Sequence, residues 1–197
     1  MKAKRIPTRD ECFRLMSQCG MLSHIVDHSI EVARVALYLA VELNKKGQRL
    51  DLELIEAASL LHDLTKSECL KTKADHARTG SEFLRRMGYA RVGEIVAEHI
   101  YLSREDDSSW VTEEEIVNYA DKRVQHDHLV SLEERFRDLM ERYGKSQKAS
   151  EQMEQLKRAT RRIENKIFSI LGIDPDDLQI KISCDGRTSL PTIWIKK

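Results

Sequence analysis

The chain has 197 residues, which is enough for one domain with a sizeable core and too few to expect two ordinary domains. Its 33 basic and 33 acidic residues balance, which excludes a global electrostatic field able to gather DNA, RNA or an anionic membrane. The four cysteines form no CxxC pair, and no apolar run approaches the roughly 20 residues that cross a bilayer. We therefore expect reduced thiols and a soluble, cytoplasmic protein without a signal peptide in its charged first residues.

The predicted elements are amphipathic helices, because glycine and proline are scarce and apolar residues recur three and four positions apart. In chain order, the first expected helices run from Thr8 to Cys19, Ser23 to Lys45, Leu52 to Leu64, Asp75 to Met87 and Ala90 to Tyr101. Residues 65–73 are polar and are expected to form a loop, and Asp75 is a good N-cap for the helix that follows. The first half of the chain therefore predicts a helical bundle.

The second half continues the helical pattern and changes character only near its end. Thr112 opens TEEE, a capping-box signature that leads into an expected helix from Ile116 to Leu129. Charged helices, interrupted near Gly144, are expected to continue to Leu171. LQIKIS and TIWIKK alternate apolar and polar residues, which predicts a small C-terminal β-hairpin.

A domain boundary is expected near Tyr143. Residues 1–143 would form an all-α domain, and residues 144–197 would be a C-terminal helical extension and tail packed on it. Basic residues cluster between positions 157 and 166, but interleaved glutamates favour a solvated helix face over a nucleic-acid patch. An apolar stripe on the same helix permits a homodimer without requiring one.

Histidines and aspartates interrupt several apolar helices at positions where core residues are expected. His28 lies in VDHSIEVARVA, His62 and Asp63 are adjacent in AASLLHDLTK, and Asp121 lies in VNYADKRV. A buried imidazole or carboxylate is costly unless it is paired, hydrogen-bonded or bound to a metal. Because one divalent cation would satisfy all four groups, the pattern predicts a metal site.

The adjacent His62 and Asp63 predict a particular geometry. Successive helical side chains diverge by about 100 degrees, so both can reach one metal only near a helix end. The two oxygens of Asp63 can bridge two ions, and His76 and His99, expected at helix ends, are candidates to hold a second ion. Nitrogen and oxygen ligands without thiolate suit iron, manganese, zinc or nickel.

The order His, then His-Asp, then a distant Asp resembles the defining pattern of HD-domain phosphohydrolases, over roughly residues 20 to 130. With the two further histidines, it is similar to the subgroup with dinuclear sites that includes the symmetrical diadenosine tetraphosphate hydrolases. The resemblance implies an all-α HD-domain bundle with one or two divalent transition-metal ions, iron or manganese being favoured. It implies that one ion is held by His28, His62, Asp63 and Asp121, and the other by Asp63, His76 and His99.

The same resemblance implies a phosphohydrolase whose metal ions activate a water for attack on phosphorus. Lys66 stands three residues after Asp63, where the family often has a lysine beside the phosphate, so these two are the expected catalytic residues. Lys66, Arg78 and, beside Asp121, Arg123 or its neighbour Lys122 are candidate substrate-binding residues. His24 is a fourth, because it lies one helical turn before the first predicted ligand. The expected substrate is a small phosphorylated compound, with a nucleotide favoured.

Other functions stay open at this point. The chain is also compatible with a metal-containing regulatory module that senses a nucleotide with little turnover, and with a dinuclear-iron oxygenase. Lys66 and Arg78 favour the hydrolase, because cations suit a phosphate substrate. A nucleic-acid binder is the least favoured. His126 and His128, in QHDH, have polar neighbours and are expected to be solvated and outside the site.

Overall fold

The computed structural model describes residues 5–103 and 108–185. Its helices are α1 (Arg9–Gln18), α2 (Ser23–Lys45), α3 (Leu52–Leu61), α4 (Lys66–Thr72), α5 (His76–Arg86), α6 (Ala90–Glu98), α7 (Glu113–Lys122), α8 (Leu132–Tyr143), α9 (Gln147–Leu171) and α10 (Leu178–Asp185). Two antiparallel two-residue strands, β1 (Val124–Gln125) and β2 (His128–Leu129), follow α7, and a short 3₁₀ helix, Pro175–Asp177, precedes α10. The described chain is an all-α bundle, which confirms the expected fold class. Within these residues, every helix is too short or too polar to cross a membrane.

α2 forms the centre of the bundle and packs against α3, α7 and α9. Its buried side chains lie on most of its circumference and include Val32, Val35, Leu37, Leu39 and Leu43. A helix that is apolar on most sides must be enclosed by other helices. Each fully buried aliphatic side chain stabilises the fold by about 1.5–3 kcal/mol. The second turn of α2, which carries His28, therefore lies on a rigid support.

α5 and α6 form a tight antiparallel helical hairpin. Gly88 connects them with a φ of 88°, a left-handed conformation that glycine adopts without strain. A Cβ atom at Gly93 would lie 2.8 Å from the carbonyl oxygen of Ser81, so the two helices approach too closely for any side chain there. The antiparallel pairing places His76, at the start of α5, beside His99, which follows α6.

The helix starts follow the capping residues that the sequence indicates. Asp75 accepts hydrogen bonds from the backbone N–H groups of Ala77, at 2.9 Å, and Arg78, at 3.1 Å. Thr112 and Glu115 form the expected capping box at the start of α7. These caps satisfy backbone donors that a helix leaves unpaired at its first turn. The break expected near Gly144 is also confirmed, since it separates α8 from α9.

Two expected elements in the middle of the chain are different in the structure. Residues 65–73, expected as a loop, contain helix α4. The helix expected to reach Leu129 ends at Lys122 and is followed by the β1–β2 hairpin, in which the buried side chains of Val124 and Leu129 face each other as a pair. His126 makes the turn with a positive φ of 56°, which is uncommon for a residue other than glycine.

The expected C-terminal β-hairpin is wrong for its first strand. LQIKIS lies in helix α10, where Leu178 and Ile182 are buried and Ile180 is 63% exposed. The burial follows a spacing of four residues, as on one helix face, rather than strict alternation. The second strand, TIWIKK, lies outside the described residues. Because α9 packs against α2, α7 and α8, we propose that residues 144–185 extend the first domain rather than form a second one.

Candidate metal centre

Six histidine and aspartate side chains meet in one cluster, and they are supplied by five helices, each within two turns of a helix end or just after it. They are His28 (second turn of α2), His62 and Asp63 (after α3), His76 (start of α5), His99 (after α6) and Asp121 (last turn of α7). All are buried except His76, which is partly exposed. Helix ends give these side chains the reach to converge without breaking the helices that carry them.

The adjacent His62 and Asp63 lie where the sequence predicts, at a helix end. α3 stops at Leu61, and the backbone then turns, with the N–H of Leu64 donating to the Leu61 carbonyl at 3.1 Å. Because the chain leaves the helix here, the two side chains face the same point, with Nε2 of His62 3.4 Å from Oδ2 of Asp63.

A first group of donors surrounds one side of Asp63. Oδ1 of Asp121 lies 3.1 Å from Nε2 of His28 and 3.7 Å from Nε2 of His62. A second group lies on the other side, where Oδ1 of Asp63 is 3.1 Å from Nε2 of His76 and 3.7 Å from Nε2 of His99. Asp63 therefore belongs to both groups and turns one carboxylate oxygen towards each.

Backbone carbonyls fix the orientation of three of the imidazoles. The Nδ1 atoms of His28, His62 and His99 lie 2.8, 2.7 and 2.6 Å from the carbonyl oxygens of His126, Ser59 and Val96. A carbonyl oxygen can only accept a hydrogen bond, so each Nδ1 carries a proton. The Nε2 atom of each ring therefore points into the cluster, and in the neutral form of the ring its lone pair can bind a metal, which is the arrangement that metal-binding histidines adopt.

The cluster has the donors of a cation site and contains buried nitrogen and oxygen atoms that no hydrogen bond satisfies. With Nδ1 protonated, Nε2 of His28 presents a lone pair to a carboxylate oxygen of Asp121 at 3.1 Å. Among the described residues, Nε2 of His62 is buried without a hydrogen-bond partner, and so is Oδ1 of Asp63, whose 3.1 Å approach to Nε2 of His76 does not form a hydrogen bond in this geometry. Such buried orphan atoms are costly and uncommon. A divalent ion in each group would satisfy them, so these residues fit one or two such ions.

The charges in the cluster support the same reading. Burial raises the pKa of Asp63, but His62 and Lys66 outweigh it and hold that pKa well below its ordinary range. Burial likewise opposes ionisation of Asp121, whose pKa is held well below normal mainly by Lys122. Both carboxylates are therefore ionised. Burial and the neighbouring His62 lower the pKa of His99 to about 3, so its imidazole is neutral near pH 7 and able to bind a metal.

Among the predicted substrate-binding residues, Lys66 lies closest to the cluster of histidines and aspartates. It begins α4, and its Nζ lies 2.6 Å from Oδ2 of Asp63. Burial lowers the pKa of Lys66, but the charges of Asp63 and Asp121 outweigh this effect and raise the pKa, so the ammonium group stays charged. Lys66 and four of the cluster residues line a cavity of about 330 Å³.

The other predicted substrate contacts are not brought to this cavity. His24 is exposed one turn before His28, and Arg78 is 80% exposed and paired with Glu82 at 3.1 Å. The expected substrate contact from Arg123 needs correction, because its guanidinium group is buried on the other side of α7. It donates to the carbonyl oxygens of Val130 and Pro175 and to the hydroxyl of Tyr119, and it lies 3.5 Å from Glu164.

The structure also shows the contacts of Lys122, which the sequence offers as an alternative to Arg123, and it identifies Arg135, which sequence reasoning missed. Lys122 contacts Oδ2 of Asp121 at 3.1 Å and donates to the carbonyl oxygen of His99, so it ties together the two donor groups. Arg135 lines the cavity, and its Nε is buried without a partner among the described residues. His126 contributes only its carbonyl oxygen. Nothing in the sequence distinguishes Arg135 from the other arginines of the charged α8.

The HD domain family matches residues 25–166, which is more than half of the chain. An uncharacterized protein of Methanocaldococcus jannaschii is 26% identical over 136 residues, which cover 62% of this chain and 79% of that protein. Ribonuclease Y of Opitutus terrae is 35% identical over 78 residues, covering 39% of this chain and 14% of that enzyme. Ribonuclease Y of Pseudothermotoga lettingae is 37% identical over 65 residues, covering 33% and 12%.

This chain thus matches only 14% or less of the length of these two ribonucleases. No solved structure gives a significant match. HD-domain proteins are generally metal-dependent hydrolases, and the cluster of histidines and aspartates lies inside the matched residues. The chain belongs to the HD-domain family.

Proposed function

We propose that this protein is a phosphohydrolase that cleaves a phosphoester or phosphoanhydride bond of a small nucleotide-like substrate at a two-metal centre. The observation that carries the proposal is the position of Asp63 between two groups of donors, with one carboxylate oxygen facing each. A single-metal site would need only the first group. Among the described residues, Asp63 is the one carboxylate that lies within 4 Å of the histidine nitrogens of the second group.

The donors divide between the two ions according to these distances. The first ion would be held by His28, His62, Asp63 and Asp121, and the second by Asp63, His76 and His99. Imidazole and carboxylate without thiolate favour iron or manganese, with zinc and nickel as alternatives. When bound, such ions lower the pKa of a water molecule and neutralise charge on a phosphoryl group. This ligand set supports placement in the dinuclear subgroup.

The side chains around the cavity would bind the substrate and orient it. Lys66, Lys122 and Arg135 line the cavity and are the cations that a phosphate group could contact there. The ammonium group of Lys66, held at 2.6 Å by Asp63, is placed to donate a hydrogen bond to a phosphate oxygen. Leu139 and Leu156 form an apolar side of the cavity that limits the access of bulk water.

Cleavage of a phosphodiester is favoured over cleavage of a monoester by one observation. Ribonuclease Y, whose name describes cleavage of RNA, is the curated relative with 35–37% identity in the matched segments of O. terrae and P. lettingae. RNA itself is a less suitable substrate here, because the cavity that Lys66 and the cluster residues line, called the metal-side cavity below, has a volume of about 330 Å³. This is the size of a small-molecule site.

Turnover of chromogenic esters tests the proposal. We expect wild-type protein supplied with Mn²⁺ or Fe²⁺ to release p-nitrophenol from bis(p-nitrophenyl) phosphate or p-nitrophenyl phosphate, and Asp63→Ala to abolish it. Asp127→Ala is a matched control, because His126 and Asp127 are a second His-Asp pair whose aspartate side chain is 55% exposed. Absence of turnover of these esters and of nucleotides by metal-loaded wild type would contradict the proposal.

A further inference from the structure

A second and larger cavity opens beside the metal-side cavity. It has about 690 Å³, and Tyr101 and Leu156 line both cavities. It lies between α7, α9 and the chain that follows α6. Volumes of this size are typical of sites for small organic ligands. A substrate with its phosphate at the metal centre could therefore extend past Tyr101 into this second space.

The floor of the second cavity is apolar and one side is aromatic. Leu156, Ala159 and Ile163 come from one face of α9 at spacings of three and four residues. Tyr101 stands at the junction of the two cavities with 52% of its surface exposed. Exposed aromatic side chains provide stacking platforms for flat rings. The combination fits a flat heterocycle better than an aliphatic chain.

Amide side chains surround this floor. Asn118 is 2% exposed, and its Nδ2 donates to the carbonyl oxygen of Glu98 at 2.9 Å, which fixes the orientation of the amide. Gln152 and Gln155 line the same cavity from α9. Amides both donate and accept, so they match the mixed donors and acceptors along the edge of a nucleobase.

The basic residues of α9 separate into two faces. Lys157 and Arg161 pair with Glu133 outside the cavity. Arg158, Arg162 and Lys166, at intervals of four residues, line the cavity instead. Lys166 is neutralised by Glu115 at 2.9 Å, whereas Arg158 has no hydrogen bond or ion pair with the described residues. Among the residues that the structure describes, this cavity therefore presents Arg158 as its one uncommitted cation, which is too little for a run of phosphates.

We propose that this cavity is a nucleoside subsite. The base stacks on Tyr101 and lies over the apolar floor, Asn118 and the two glutamines contact its polar edge, and Arg158 hydrogen-bonds the outer end of the ligand. The inference rests on the proposed function, since it takes the phosphate to lie at the metal centre. It narrows the substrate class to compounds in which the cleaved phosphate carries a nucleoside.

Equilibrium dialysis of the metal-loaded full chain tests the subsite. The four ribonucleoside 5′-monophosphates are compared with methyl phosphate, which has the same phosphate group and no nucleoside, and the intact ligand is quantified by chromatography. We expect at least one nucleotide to bind about tenfold more tightly than methyl phosphate, as base stacking alone can provide. Tyr101→Ala and Arg158→Ala should each remove most of this preference and leave binding of methyl phosphate unchanged.

Lys157→Ala is the matched control, because Lys157 adjoins Arg158 on α9 but pairs with Glu133 outside the cavity. Equal affinity of wild type for all nucleotides and methyl phosphate would overturn the subsite, as would an equal loss of both ligands in the two variants. The ester assay is read separately. Ester turnover without nucleotide preference removes the subsite alone, whereas nucleotide preference without turnover keeps the subsite and removes the hydrolase proposal.

Discussion

The Nε2 atoms of His76 and His99 lie 3.2 Å apart, both within 3.7 Å of the same oxygen of Asp63. Because Nδ1 of His99 donates to the Val96 carbonyl, its Nε2 presents a lone pair to His76. Two imidazoles tolerate this contact when a proton or a cation lies between them. The fold therefore holds two imidazoles and a carboxylate at distances at which a bound cation or proton would stabilise them.

Metal removal should lower the stability of the wild-type protein. An ion that binds only the folded state adds about 2.7 kcal/mol when its concentration is 100 times its Kd. We expect the melting temperature to fall on dialysis against a chelator and to recover when metal is restored. In Asp63→Ala, removing and restoring the metal should change the melting temperature little, because both donor groups lose their shared carboxylate. Equal melting temperatures of metal-free and metal-loaded wild type would show that the cluster binds no ion.

Lys66→Met should separate metal binding from turnover. The ammonium group of Lys66 contacts Asp63 and lines the cavity, but lysine is not among the donors. We expect metal content to persist and kcat to fall on the order of 100-fold, as when one preorganised donor is removed from an active site. Lys71→Met, on the exposed side of the same helix, serves as the control. Unchanged kcat in Lys66→Met would exclude the proposed contact with substrate.

Arg123→Met should act on stability rather than on substrate binding. Arg123 and Glu164 are both buried, at 3% and 1% exposure. The substitution removes the ion pair between them and the contact of Arg123 with Tyr119. Removing one partner of a buried ion pair costs about 3–5 kcal/mol. Chemical denaturation should show this loss, and KM of the folded fraction should stay unchanged. A raised KM with wild-type stability would restore Arg123 as a substrate contact.

The double variant Arg123→Met/Glu164→Gln distinguishes the ion pair from loss of packing. If the uncompensated charge of Glu164 causes most of the effect, the second substitution should recover part of the stability that the first removes. If packing causes it, the two losses should add. Arg161 also pairs with Glu164, at 2.5 Å, so recovery should be partial.

Gly93→Ala and Gly80→Ala should have opposite effects, although both glycines lie in helices of the α5–α6 hairpin. A methyl group at Gly93 would meet the Ser81 carbonyl at 2.8 Å, whereas at Gly80 the nearest atom, of Val96, is 3.4 Å away. Overpacking costs about 1–3 kcal/mol, while replacing a helical glycine by alanine gains up to about 1 kcal/mol. Thermal melting should therefore show destabilisation for Gly93→Ala only. Equal melting temperatures for the two variants would contradict the close approach of the helices.

Much of the fold could be predicted from local signals in the sequence. Capping residues such as Asp75 and Thr112 and breaks such as Gly88 act within one turn, so their effect is visible in a short window. The apolar environment of the histidines and aspartates also indicates that they are buried together. The apolar context predicts that these segments meet, and the resemblance to HD-domain proteins implies how the ligands divide between two ions.

The errors arose where tertiary packing decides between two local patterns. Leu178, Ile180 and Ile182 alternate as in a strand, but the outer pair is also spaced as one helix face, and burial against the bundle selects the helix. The roles of Arg123 and Arg135 depend on which side of a helix faces the cavity, which periodicity cannot tell for charged residues. The backbone carbonyl of His126, which accepts a hydrogen bond from His28, cannot be predicted from the pattern of side chains.

Metal content per chain tests the two-metal centre most directly. Purified without chelator and reconstituted, the wild type and Asp127→Ala should bind two divalent ions per chain by elemental analysis. His76→Ala and His99→Ala should each bind one, because the first donor group remains intact in both. Asp63→Ala should lose both ions. One ion per chain in the wild type, unchanged in His99→Ala, would contradict the second site, and no bound ion in the wild type would contradict the metal centre itself.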